Sequence, residues 1–378
     1  MNTSQSTSRL FFIDWIRVIA FGVLIFFHCA MPFVPHNWEI KNKETSEGLY
    51  TIVIWFHQWR LPLLFFISGA GIYFSLEKRT LIKFYLERFR RLFIPLVFAM
   101  FFTIPVQVYF EYLQRGRIKP GYLNFYPSVW EMIPYPEGSL TWSHLWFIVY
   151  LIAFLILLIP FFALCRIDVI KNGLKKLGKY SGNPGILILL CFPVYLIYQF
   201  YYIEFPEQGS LFGDSFVFDS SLIYLLLGYL LAGNETFWTN AARYRFLWLT
   251  NTIICASVLI LIYYTPVQLP KIKNNYAQLY FIFDAIHIWS IILTITGFSK
   301  TYLYQDSRLL QYLSKAILPF FIIHQTIIVA IGYYLVQLNL PIAVKYFMLT
   351  TLSGLVIFLI YDLLIRRTRL TRFLFGMR

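Results

Sequence analysis

The feature that most constrains this chain is its first apolar run, R-L-F-F-I-D-W-I-R-V-I-A-F-G-V-L-I-F-F-H-C-A-M-P-F, from Arg9 to Phe33. Roughly 20 apolar residues suffice to cross a bilayer as a helix. This run also holds Asp14, Arg17 and His28, and a charge near the bilayer centre costs about 2.5 to 3.5 kcal/mol even on the lenient insertion scale. Such groups need compensation inside a protein bundle. At about 100° per residue, the step from Arg17 to His28 returns to within about 20° of the same face, and Asp14 lies about 40° off it. The three polar groups share one stripe. Asp14 and Arg17 are i, i+3 neighbours that can pair, while His28 sits roughly 16 Å further along the axis. One helix face therefore joins an ionic site near one membrane surface to a titratable imidazole towards the other. The competing reading makes these residues polar braces that hold a bundle together.

Composition supports the membrane class. Of 378 residues, 59% are hydrophobic and 20% aromatic, and the 13% that are charged fall far below the share in soluble domains. The net charge of +14 is spread as short basic clusters between apolar segments, which argues for membrane topology and against a nucleic-acid partner. Cys29, Cys165, Cys191 and Cys255 lie in or beside apolar segments without a C-x-x-C spacing, so they read as small buried side chains and predict neither disulfides nor a metal site. The polar N-terminus leads into a long span without a small-residue cleavage site, the pattern of an uncleaved signal anchor.

Hydropathy predicts an all-α polytopic membrane bundle of about ten transmembrane helices in a single domain, 1–378. The spans fall near 10–33, 50–75, 92–112, 145–165, 184–203, 216–233, 244–265, 277–298, 316–338 and 342–365. With the N-terminus inside, 22 Lys and Arg residues fall on that side and 8 outside, with Arg17 and Arg60 within spans, so both termini are predicted to be cytoplasmic. The external loop of about 112–144 is rich in Pro, Tyr and Trp. It reads either as an interfacial aromatic belt or as a cap that contacts saccharides.

Other polar residues interrupt the spans. His57 and Arg60 form an H-Q-W-R pair at a depth close to that of His28. F-I-S-G-A-G-I places Ser68, Gly69 and Gly71 where a backbone or a slender ligand can approach. Arg88 and Arg91, one turn apart, serve either as a topology signal or as a phosphate clamp. His144 and Trp146 open the fourth span, Asp284 and His287 lie a turn apart in the eighth, and His324 with Gln325 sits mid-depth in the ninth. Five of six histidines thus fall in or beside spans, which points to a polar cavity within the bundle.

Taken together, these motifs resemble the membrane-bound acyltransferase family 3. The likeness rests on Arg-x10-His at Arg17 and His28, Arg-x-x-Arg at Arg88 and Arg91, F-I-S-G at the end of span two, H-L-W-F at span four, and the ten-span layout. L-F-F-I-D-W-I-R, the H-x-x-R of His57 and Arg60, and P-F-F-I-I-H-Q-T are similar to the branch containing the succinyltransferase of osmoregulated periplasmic glucans. Relatives often place an acid ten positions after the histidine; here that position is Trp38, with Glu39 next.

The resemblance implies an integral protein of the bacterial inner membrane that moves an acetyl or succinyl group from cytoplasmic acyl-CoA to an extracytoplasmic glycan or glycolipid. It implies His28 as general base with Asp14 and Arg17 beside it, and donor contacts from Arg17, Ser68, Arg88 and Arg91. Acceptor contacts would come from Glu39, His57, Arg60, His144, Trp146, Asp284, His287 and His324, with no metal required. A histidine with an ordinary pKa near 6.5 suits removal of a hydroxyl proton at neutral pH. A transporter or flippase with a buried Asp, Arg and His relay is the alternative, although no pseudo-symmetric halves are visible.

Overall fold

The computed structural model describes residues 10–201, 211, 213–264 and 275–377. Arg9, Lys271, Lys273 and Arg378, all used in the topology reading, lie outside the described residues, as do 202, 203 and 265 at the ends of two predicted spans.

Among the described residues, nine helical segments are long and apolar enough to cross a membrane, and a shorter apolar segment, Ser143–Leu157, makes a tenth. The protein is a multi-pass integral membrane bundle. Its principal helices are α1 (Phe11–Ala30), α2 (Glu47–Leu76), α3 (Leu81–Phe102), α4 (Ile104–Gln114), α5 (Trp146–Leu157) and α6 (Phe192–Tyr201). They continue with α7 (Ser215–Ala232), α8 (Arg245–Tyr264), α9 (Asn275–Tyr302), α10 (Arg308–Leu335) and α11 (Ile342–Ile360).

Local chemistry sets the boundaries. Ser46 caps α2 by accepting from the Leu49 amide at 3.3 Å, and Ser307 caps α10 by accepting from Leu310 at 3.0 Å. Two helices start well before the predicted spans. α3 runs through the basic stretch from Lys83 to Arg91, and α10 begins at Arg308, because hydropathy registers the lipid-facing part whereas a helix continues as long as its backbone bonds are met. Conversely, the fourth span breaks at Leu158, just before Pro160, into α5 and a short helix, Ile159–Leu164.

Helix α1 packs against α2, α9, α10 and α11, so its polar stripe faces protein rather than lipid. The tightest seam joins α2 to α7. A Cβ at Gly69 would collide with the Leu225 carbonyl, and one at Gly228 with the Phe66 carbonyl, so the two glycines let the backbones touch. The external loop is folded down over one end of the bundle. Tyr112 donates to the carbonyls of Pro136 at 2.9 Å and Gly138 at 2.7 Å, and Gln114 exchanges two bonds with the Lys41 backbone at 2.7 and 2.9 Å.

Candidate active site

Two cavities lie end to end along α1. The first, about 430 Å³, sits by its N-terminal half and is walled by Asp14, Arg17, Ser68, Arg88 and Arg91 together with apolar side chains. Arg17 and Asp14 approach to 3.4 Å. Gly71 lies directly under Arg17, since a Cβ there would stand 3.2 Å from its Nη2. The F-I-S-G-A-G stretch thus divides its labour: Gly69 serves helix packing, while Ser68 and Gly71 serve this arginine cavity. Lys78 and Arg79 join the same wall. Both belong to the 22 inside cations of the topology count, and their place next to the small-residue stretch is the sequence signal for a second role.

The second cavity, about 1250 Å³, surrounds the C-terminal end of α1 and includes His28, His57, Arg60, His144 and Trp146 in its lining. Glu39 and Asp284 also reach it. From the external loop, Pro134, Tyr135 and Leu140 to Trp142 form part of the wall, whereas Leu123 and Trp130 remain exposed. One part of the loop thus walls the cavity, and another part stands on the protein surface. The arginine and histidine cavities share Leu64, Phe147 and Phe321 in their walls. Those three apolar side chains are the junction between them.

At the centre, His28 Nδ1 lies 2.9 Å from His324 Nε2, and His324 Nδ1 lies 2.8 Å from the Phe321 carbonyl oxygen. His324 is fully buried behind His28 and does not itself line the cavity. His144 is braced on both sides: Nε2 lies 3.1 Å from the Phe321 carbonyl and 3.2 Å from that of Ile322, and Nδ1 faces Gln107 Nε2 at 3.3 Å. Arg60, 3% exposed, stacks over the Phe27 ring at 3.8 Å, and among the described residues its Nε and Nη1 have no hydrogen-bond partner. A buried guanidinium left so is costly unless an anionic or strongly accepting group meets it.

Glu39 stands where the loop after α1 crosses the cavity. Its Oε1 accepts from Gln325 Nε2 at 2.6 Å. Burial pushes its carboxyl up to about 7. Among the described residues it makes no hydrogen bond to His28, whose ring neighbours are His324 at 4.9 Å, Phe27 at 5.2 Å and Trp38, stacked at 6.3 Å, and whose nitrogen partner is His324.

The Asp284 and His287 pair separates. Asp284 accepts from the Tyr198 hydroxyl in the cavity wall. His287, one turn on, turns against Trp55 at 6.5 Å and lies off the cavity. An i, i+3 spacing allows contact but does not require it when each side chain finds a nearer neighbour on another helix. Sequence reading passed over Gln107 and Glu111, which both line the histidine cavity. Their i, i+4 spacing within an apolar span was the available signal. Among the described residues, no three His, Cys, Asp or Glu side chains converge as metal ligands would.

Glucans biosynthesis protein C of Shigella dysenteriae serotype 1 is 28% identical over 225 residues, covering 57% of this chain and 56% of that protein. The protein of the same name from an Escherichia coli strain is 27% identical over 224 residues, with shares of 57% and 56%. One from another Escherichia coli strain is 26% identical over 248 residues, with 62% of each covered. The chain thus spans 56% to 62% of the length of these curated relatives. No solved structure matches it. The family model described as an acyltransferase domain matches residues 10–366, and the protein belongs to that acyltransferase family.

Proposed function

We propose that the protein is a membrane O-acyltransferase that takes an acetyl or succinyl group from acyl-CoA on the cytoplasmic side and places it on a hydroxyl of an extracytoplasmic glycan or glycolipid. The observation that carries this reading is the end-to-end placement of an arginine-walled cavity and a histidine-walled cavity, meeting at Leu64, Phe147 and Phe321. An anionic, phosphate-bearing donor suits the first; a polyhydroxylated acceptor suits the second.

In this reading Arg17, Arg88 and Arg91 hold the coenzyme A phosphates, because guanidinium forks match phosphate oxygens. Asp14 steadies Arg17, and Ser68 lines the path of the thioester arm. The arm runs along α1 for the roughly 16 Å between the levels of Arg17 and His28. His28 takes the proton of the acceptor hydroxyl as its oxygen attacks the thioester carbonyl carbon. The tetrahedral intermediate then collapses, the carbon–sulfur bond breaks, and the imidazolium returns its proton to the departing thiolate. Arg60 faces the negative charge that develops near His28. Glu39, His57, Trp146 and Asp284 meet the acceptor, with His144 bracing the wall behind them; His287 has no place in the cavity.

The printed name of the relatives, Glucans biosynthesis protein C, supports a glucan as acceptor. The bias of Lys and Arg supports cytoplasmic termini and a place in the bacterial inner membrane.

The test is to incubate the purified protein in nanodiscs with radiolabelled acetyl-CoA or succinyl-CoA and a glucan. Label is expected on the glucan, and His28→Ala is expected to abolish it while the variant still folds. Wild-type turnover by that variant would remove His28 from the mechanism. Solute counterflow without any acylation would point instead to a transporter.

A further inference from the structure

We infer that His324 is a positioning residue that fixes the tautomer of His28, leaving the Nε2 lone pair of His28 facing the histidine cavity. The inference rests on the reading of His28 as the base and supplies the orienting group that the loop after α1 does not provide.

The hydrogen bonds lead outward from the backbone. A peptide carbonyl only accepts, so the 2.8 Å contact between His324 Nδ1 and the Phe321 oxygen places the proton of His324 on Nδ1. A neutral imidazole carries one N–H, which makes His324 Nε2 an acceptor. The 2.9 Å contact from that atom to His28 Nδ1 then requires His28 to donate from Nδ1. The remaining nitrogen of His28, Nε2, holds the lone pair, and the ring lines the cavity where an acceptor hydroxyl would enter. Were the tautomers reversed, His28 would present an N–H to the hydroxyl and could not take its proton.

The anchor is rigid. His324 is 0% exposed, and the same Phe321 carbonyl also receives His144 Nε2 at 3.1 Å, which pins the oxygen from a second helical element. In a serine-protease triad a buried carboxylate does this orienting and also stabilises the imidazolium. Here the orienting group is neutral, so its contribution is mainly geometric. Once His28 Nε2 has taken the hydroxyl proton, the proton on Nδ1 still donates to His324 Nε2, and no further partner is needed.

The test reads the tautomer directly. The protein is labelled with ¹⁵N-histidine and reconstituted in nanodiscs, and the His28 signals are identified as the pair lost in His28→Gln. Wild-type His28 is expected to show a protonated Nδ1 and an unprotonated Nε2. In His324→Ala the population should move to the Nε2–H form, which neutral imidazole side chains otherwise favour. An Nε2–H form of His28 in the wild type would overturn the inference.

Activity gives the second reading. His324→Ala should lower kcat on the order of 100-fold with KM for acyl-CoA unchanged within about twofold, whereas His324→Gln should recover at least about tenfold, because its amide oxygen can accept from Nδ1. A folded Gln variant as inactive as the Ala variant would overturn the assignment. If His324→Ala does not fold, the wild-type spectrum and the Gln variant still decide. The expected tautomer without any His28-dependent acylation would sink the proposed function and leave the positioning role standing.

Discussion

Gly69 of α2 and Gly228 of α7 lie in a single seam in which each helix rests on the other's backbone: Gly69 against the Leu225 carbonyl and Gly228 against that of Phe66. The seam matters for chemistry because the next residue along, Ser68, lines the arginine cavity. Backbone cannot yield as a flexible side chain can, so Gly69→Val or Gly228→Val should destabilise the protein by at least about 1 to 3 kcal/mol through overpacking. Thermal unfolding in detergent measures this. Gly22, with nothing among the described residues within 4 Å of an added Cβ, is the control and should tolerate Ala with little change.

The arginine pair separates topology from ligand binding. Arg88 and Arg91 both line the cavity that holds Arg17. Each charge-assisted bond to phosphate contributes about 1.5 to 3 kcal/mol, so Arg88→Ala combined with Arg91→Ala should weaken acyl-CoA binding by at least about 100-fold, with folding retained. Isothermal titration calorimetry would show it. Unchanged affinity would return the pair to a role in membrane orientation.

The apolar junction should act on turnover rather than on donor affinity. Leu64 belongs to both cavity walls and is buried. Leu64→Trp would fill the junction, so kcat for transfer should fall by more than about tenfold while Kd for acyl-CoA stays within about twofold. A matching loss of affinity would place the donor differently. Melting temperature would be followed in parallel, since the same substitution overpacks the core.

Glu39 gives the protein a pH response near neutrality. Burial raises its carboxyl to about 7; Glu111 adds to the rise, while a backbone bond, Gln325 and Arg115 oppose it. Because the folded protein holds this proton more tightly than the unfolded chain, the stabilising contribution is full below about 4.5 and is lost as pH climbs through about 7. Glu39→Gln keeps the side chain neutral and preserves an acceptor for Gln325. Its melting temperature should match the wild type at about pH 5 and exceed it at about pH 8; a gap of the opposite sign would show that the carboxylate is stabilised where it stands.

The sequence by itself determined the bundle, because about twenty apolar residues in a row have only one economical way through a bilayer, and ten such runs could be counted. It also determined the α1 stripe, since helical period alone sets which face Asp14, Arg17 and His28 share. Helix ends were less legible: α3 and α10 extend past their apolar windows, and backbone bonding rather than hydropathy decides where a helix stops.

What only the tertiary structure decided was partnership across helices. Nothing in the order of residues tells His28 to meet His324, 296 positions away, or separates Asp284, bound to Tyr198, from His287 against Trp55. Nor does it divide the polar residues between two cavities that meet at Leu64, Phe147 and Phe321. The physical reason is range. Spacing along a helix fixes neighbours within a turn or two, whereas a hydrogen bond needs its atoms within about 3 Å, and which helices come that close is settled by packing of the whole bundle.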